Sequence, residues 1–170
     1  MAVKDFVGSA VRIKQSLTFD MKELYKNLKT WFADRSYGIA EPSYSEKPTR
    51  DGLKKTEFVW CAEKKMDPYS KLVMDVVFKG ETKDMVVDKE DKKQLVQEGD
   101  VEIIITCYIK RDLEDDYALK EKSGMQRFLR ELVDKFSKKS KFEDYERKLQ
   151  KDRDTIVYDI KTYLKMQRFD

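Results

Sequence analysis

From Ala10 to Phe19 apolar and polar residues alternate, with Val11, Ile13, Leu17 and Phe19 set against Arg12, Lys14, Ser16 and Thr18, and this predicts a half-buried strand. Asp20 follows as a helix N-cap with Glu23 three positions on, a capping-box-like pair using Asp in place of Ser or Thr. The period then changes. Met21, Leu24, Tyr25, Leu28, Trp31 and Phe32 share one helical face, which predicts a helix from about Met21 to Arg35, with Gly38 placed to end it. Ile39 to Glu46 is a weak strand whose Pro42 lacks the N–H a central strand needs, so it belongs at an edge or a bulge.

The Pro and Gly of the 47–52 segment predict a turn. Lys55 to Lys64 alternates around Phe58, Trp60 and Ala62, the Met66–Ser70 segment reverses direction, and Lys71 to Lys79 alternates around Leu72, Met74, Val76 and Phe78. These make an antiparallel hairpin. Lys83 to Asp88 reads as a further strand. The charged 88–100 segment ends in a turn signal at Glu98-Gly99-Asp100, with a short helix around Leu95 and Val96 left open. Val101 to Lys110, with Val101, Ile103, Ile105, Cys107 and Ile109 on one face, belongs in the middle of a sheet.

The remainder predicts helix. Phe128, Leu129, Leu132, Val133 and Phe136 form one stripe after Gly124. Phe142, Tyr145, Leu149, Ile156, Ile160, Tyr163 and Leu164 form a looser one that Asp152 and Arg153 interrupt, and the β-branched Thr155–Tyr158 stretch also admits a strand. The fold class is therefore α+β: an antiparallel sheet of about five or six strands, a helix between the first strands and a long C-terminal helical segment. Residues 1–141 are expected to form the domain and 142–170 a helical extension packed on it. No internal repeat or low-complexity tract is present.

Side by side, the strands give one strongly apolar face, which a helix layer must cover. The other face mixes Val59, Cys61, Val73, Val77, Ile104 and Tyr108 with Glu57, Glu63, Asp75, Lys79 and Glu102, and so it also calls for a cover, either the C-terminal segment or a partner. Val73, Val77, Ile104 and Tyr108 are the expected contacts for a protein partner or a second copy of the chain.

The order strand, helix, antiparallel strands, long C-terminal helix is similar to the helix-grip fold of the START and Bet v 1-like superfamily. That resemblance covers most of the chain and rests on element order. It implies a curved sheet wrapped around the last helix and a small apolar ligand in a cavity, which Trp60, Met74, Phe78 and Ile105 would line. The superfamily places two short helices after its first strand, whereas one helix fills that interval here, and a second C-terminal helix has no counterpart in it.

Composition narrows the function classes. The 170 residues are 40% hydrophobic and 12% aromatic, enough for a packed core without disulfides or metal. Charged residues reach 41%, against about 25% in an average domain, yet the net charge is only +3. Such an interspersed surface suits a very soluble protein, and also one from a hot environment. It argues against a chain devoted to neutralising phosphates. With no signal-peptide core at Met1–Phe6 and no long apolar run, a cytoplasmic protein without membrane insertion is expected.

The chain holds no histidine, which removes His-based triads, His metal sites and the side chain that most readily shuttles protons near neutral pH. Cys61 and Cys107 lie in apolar runs without Cys-x-x-Cys spacing and are expected to be reduced, inert core thiols. Asp75, mid-strand between Val73 and Val77, is a carboxylate that burial would perturb, but solvation or pairing with a cross-strand Lys is the favoured reading and no catalytic role is assigned to it. Glu114-Asp115-Asp116 lacks the ligand spacing of a calcium loop and suits a helix start, so no metal is implied. The six glycines are isolated, with neither a P-loop nor a dinucleotide fingerprint, so no cofactor is implied. Arg127, Arg130, Lys138 and Lys139 form a basic stripe that a nucleic-acid backbone could follow. Taken together these features favour a non-enzymatic binding or assembly module, with a small-ligand carrier and a nucleic-acid partner as the other two readings.

Overall fold

A computed structural model of the chain describes residues 2–49, 51–112 and 124–166, with the side chains of the last helix described from 140 to 165. Six strands and two helices follow in the order β1 (Ala2–Phe6), β2 (Val11–Phe19), α1 (Met21–Asp34), β3 (Gly38–Pro48), β4 (Lys54–Asp67), β5 (Ser70–Lys89), β6 (Lys92–Asp112) and α2 (Gly124–Met166). All strand pairs are antiparallel in one sheet, ordered β1-β6-β5-β4-β3 with β2 also beside β6. The α+β class, the α1 boundaries and the edge position of β3 agree with the sequence pattern.

β1 and β2 are two halves of one edge. Ala2 to Phe6 pairs with Asp112 to Tyr108, and Val11 to Phe19 pairs with Ile105 to Gln97, so the connecting residues hold two more positions than β6 does opposite them. Gly8, at φ 70°, lies in this bulge, and the Val7 N–H still reaches the Cys107 carbonyl at 2.9 Å. The β1 half has no counterpart in the sequence reading, because a five-residue edge strand with alternating charge carries little apolar signal.

Asp20 caps α1 as its spacing predicts, its carboxylate accepting from the Glu23 N–H at 3.1 Å and from Gln94 Nε2 at 2.9 Å. The helix does not wait for Gly38 to stop. Arg35 ends it, Ser36 takes the left-handed conformation at φ 65°, and Gly38 opens β3.

Two corrections concern the long hairpin. Lys71 to Lys79 and Lys83 to Asp88 are one continuous strand, and Glu98-Gly99-Asp100 is not a turn. β5 and β6 run as one hairpin from Ser70↔Arg111 to Lys89↔Lys92, closed by Glu90 and Asp91, both at positive φ. The short helix left open around Leu95 and Val96 is strand instead. Gly99 is a glycine because two backbones meet there. A Cβ on it would lie 2.1 Å from the Glu81 carbonyl oxygen.

The helix-covered face of the sheet carries Phe58, Trp60, Leu72, Met74, Val76, Phe78, Ile103 and Ile105, all fully buried or nearly so. Leu24, Leu28, Trp31 and Phe32 of α1 and Leu149, Ile156, Ile160 and Leu164 of α2 close on that same face in one core. Each such side chain contributes about 1.5–3 kcal/mol of burial. The helix runs unbroken through Asp152 and Arg153, across the 141/142 division and through the stretch read also as a strand. Those two residues are polar ties of α2 to the rest of the fold. Asp152 accepts from the Tyr37 hydroxyl at 2.8 Å, Arg153 donates to the Val7 carbonyl at 3.3 Å, and one turn on Asp159 accepts from Trp31 Nε1 at 3.0 Å. No helix among the described residues is long and apolar enough to cross a membrane.

Candidate functional site

Between the start of α1 and the β3 edge lies a cleft of about 460 Å³, within the usual size of small-ligand sites. Met21, Lys22 and Tyr25 form its helical wall, Glu41, Tyr44 and Glu46 come from β3, Lys54, Thr56 and Phe58 from β4, and Gln97 from β6. Local structure sets these positions. β3 gains one residue over β4 between Ala40 and Ser43, the bulge that Pro42 requires, and this turns Glu41 toward the helix. Its Oε2 accepts from the Tyr25 hydroxyl at 2.5 Å and from Trp60 Nε1 at 2.7 Å.

The walls are aromatic. Tyr44, Phe58 and Phe78 occupy one register row across β3, β4 and β5 and stack nearly parallel, with centroids 6.1 and 4.7 Å apart. Tyr25 meets Phe58 and Trp60 edge-on at 5.3 and 4.9 Å. Burial pulls the Glu41 carboxyl upward, but hydrogen bonds from Tyr25 and Trp60, with Lys29 nearby, outweigh it and hold the group below the usual range. Glu41 is therefore a fixed anion in an aromatic wall. Burial, followed by the hydrogen bond to Glu46, pushes the Tyr44 phenol up to about 12.

One residue of the cleft carries a buried polar atom that is unsatisfied among the described residues. Thr56 is 1% exposed, and its hydroxyl has no hydrogen-bond partner among the described residues. Thr82, diagonal to it on the same face, is likewise buried with its hydroxyl unpartnered among the described residues. Buried polar groups without partners are uncommon and call for an explanation.

The expected cavity residues Trp60, Met74, Phe78 and Ile105 are fully buried and packed in the core, and the cleft does not include them. Trp60 reaches the site through its hydrogen bond to Glu41 and its ring contacts with Tyr25 and Phe58. Tyr25, Glu41, Tyr44 and Thr56 carry no site signal in the sequence. Tyr25 reads as one more apolar helix position, and the only signal near Glu41 is Pro42, which marks an irregularity without saying where it points.

Of the expected partner residues, Val73 and Tyr108 are 0% and 5% exposed, so the chain itself covers them, while Val77 and Ile104 are half-buried. The described part of α2 does not cover this second face, since it packs on the first. Arg127, Arg130, Lys138 and Lys139, and the Glu114-Asp115-Asp116 cluster, lie outside the residues whose side chains are described.

Cys61 stands on the second face, half-exposed, not in the core. Burial and then the adjacent Asp75 carboxylate push its thiol up to about 11. Cys107 is buried, and burial is the main cause that raises it to about 12. Neither is an activated nucleophile. Among the described residues no group of three or more cysteine or acidic side chains converges to hold a metal ion.

These thiols, with six phenols held above their ordinary value, set an alkaline limit to stability. Tyr37 and Tyr163, raised first by burial, stand with Tyr145 at about 12 and with Tyr25, Tyr44 and Tyr108. In the unfolded chain cysteine and tyrosine ionise near 9 and 10, before they do in the fold. Stability is therefore full below about pH 9 and falls as pH rises toward the folded values. Lys64, pushed down by burial and by Lys148, runs the other way as a single group. Urea midpoints measured between about pH 7 and 11 should decline steadily above 9; a flat profile would contradict this assignment.

No protein-family model and no curated protein matches this chain. Among solved structures, an uncharacterised protein from Rhizobium leguminosarum is similar over 78% of this chain and 95% of its own, at 11% identity and a TM-score of 0.21, a likeness too slight to carry any argument.

Proposed function

We propose that this chain is a non-enzymatic small-molecule binding domain whose site is the cleft between α1 and β3. The observation that carries this reading is Thr56, whose buried hydroxyl has no partner among the described residues, lining an aromatic-walled cleft of ligand size. The ligand is a planar, ring-bearing amphiphile. Its ring lies against Tyr44 and Phe58, its polar group meets the Thr56 hydroxyl, and an anionic substituent is met by Lys22 or Lys54 at the mouth. Lys54 sits 3.7 Å from Glu46 and 3.6 Å from Asp84, close enough to change partner as a ligand enters.

The helix-grip resemblance is consistent with this function and belongs to the same proposal. It is supported by the first strands lying beside the last, by α1 crossing to the opposite edge, and by the C-terminal helix lying on the same face as α1.

The fluorescent amphiphile anilinonaphthalene sulfonate tests the site. It should bind the folded chain one to one, and Lys22→Glu and Tyr44→Ala should each weaken it about tenfold, the loss of one good contact. Thr56→Val should leave the free protein equally stable or up to about 1 kcal/mol more stable, since it removes a polar group that nothing satisfies. Absence of binding, or binding indifferent to both cleft variants, would sink the proposal. A destabilised Thr56→Val protein would show that the hydroxyl has a structural partner.

A further inference from the structure

The second face of the sheet, opposite the cleft, carries its charge unevenly. Near one end Lys14, Glu102, Lys79 and Glu57 stand opposite one another in register across four strands, alternating in sign. Near the other end the corresponding row is Lys4, Lys110, Lys71 and Lys65, four lysines on adjacent strands. Like charges directly opposite each other destabilise a sheet, so the second row is a cost that the first row shows to be avoidable. Glu63 relieves the middle of it, 3.5 Å from Lys71 and 3.8 Å from Lys110. The two ends are unrelieved. Lys4 and Lys65 are exposed and have no carboxylate partner among the described residues, Lys4 lying 4.9 Å over the Tyr108 ring.

Beside the lysines, in the next register row, Phe6 packs on Tyr108 with centroids 5.6 Å apart. Tyr108 is buried beneath it, whereas Phe6 is 64% exposed. A large ring left in water on a sheet, next to a line of cations about 14 Å long at the usual strand spacing, has the two components that single-stranded nucleic acids use: a cationic track for phosphates and a ring on which a base stacks.

We infer that the Lys4–Lys110–Lys71–Lys65 row and Phe6 form a binding surface for single-stranded nucleic acid, with phosphates along the lysines and a base on Phe6. This surface is independent of the cleft and differs from the basic stripe of α2. Contact with up to four phosphates gives a log–log salt slope near −3, or about a 50-fold loss of affinity between about 50 and 200 mM salt.

Fluorescence anisotropy of a labelled oligothymidylate with the full chain tests it. Lys4→Glu with Lys65→Glu, both at exposed positions with no carboxylate partner among the described residues, should weaken binding at least about tenfold and flatten the salt slope. Phe6→Ala should weaken it by about tenfold with the slope unchanged, because stacking releases no counterions. No binding, or binding unaffected by the Lys4 and Lys65 reversals, overturns the inference. So does binding abolished only by Arg130→Glu and Lys138→Glu, or preference for phosphatidylserine vesicles over the oligonucleotide.

Discussion

Gly99→Val is expected to lower the unfolding free energy by about 3–5 kcal/mol, summing strain at an unfavourable backbone conformation and overpacking against atoms that cannot move aside. Gly99 sits in β6 between Leu17 of β2 and Thr82 of β5. A Cβ there would meet the Glu81 carbonyl oxygen at 2.1 Å and the Thr82 Cα at 2.9 Å, and the glycine's φ is 155°. The obstacles are backbone atoms of the neighbouring ladder, so no rotamer change relieves them and the hairpin has to shift as a unit. For a chain of this size the loss corresponds to about 10 °C or more in Tm. Gly52→Asn is the control, because Gly52 has positive φ but nothing within 4 Å of a Cβ, and asparagine tolerates that conformation at little cost. Thermal unfolding of the two variants should differ widely. Equal, small effects would mean that β5 and β6 do not approach each other as closely as described.

Trp60→Ala is expected to cost about 3–5 kcal/mol, the range for truncating a fully buried aromatic residue. Trp60 is 0% exposed, with rings of Tyr25, Phe32 and Phe58 around it at 4.9, 6.5 and 5.0 Å. Its loss also takes one of the two hydrogen bonds that fix Glu41. Trp60→Phe separates the two roles: most of the ring volume stays, so the stability loss shrinks, while Glu41 keeps only the Tyr25 hydroxyl. Urea unfolding of both variants, with probe binding for the second, distinguishes them. A Trp60→Ala loss below about 1 kcal/mol would show that the surrounding rings refill the space.

Much of this fold is legible wherever a residue's partner lies on its own element. The alternation of Val11 to Phe19, the Asp20 cap and the apolar face of α1 are local patterns, and all three appear in the structure. Gly99 carries a false turn signal because an isolated glycine looks alike in a turn and in a crowded ladder, and only the opposing strand tells them apart. Asp152 and Arg153 misled for a related reason. They break the apolar stripe of α2, but their partners Tyr37 and Val7 lie 115 and 146 residues away, far beyond any periodicity. The cleft was least legible of all. Tyr25, Glu41 and Thr56 come from three elements, and what marks Thr56 is the lack of a partner, which no sequence displays.

The edge formed by β1 and β2 also dictates an order of assembly. β3 to β6 are successive hairpins that can pair as soon as each emerges, whereas Ala2 finds its partner only at Asp112, and Trp31 its acceptor only at Asp159. During synthesis β1 and β2 must wait beside a half-built sheet until β6 exists, and the Trp31 indole waits longer still, for the last turns of α2. Closure over such sequence separations is slow, and until it occurs the broad apolar face of the sheet stands open to other chains. The last turns of α2 are thus the step that ends this exposure, and truncation there should be felt first in the yield of soluble protein made by cells, before any effect on what the finished molecule binds.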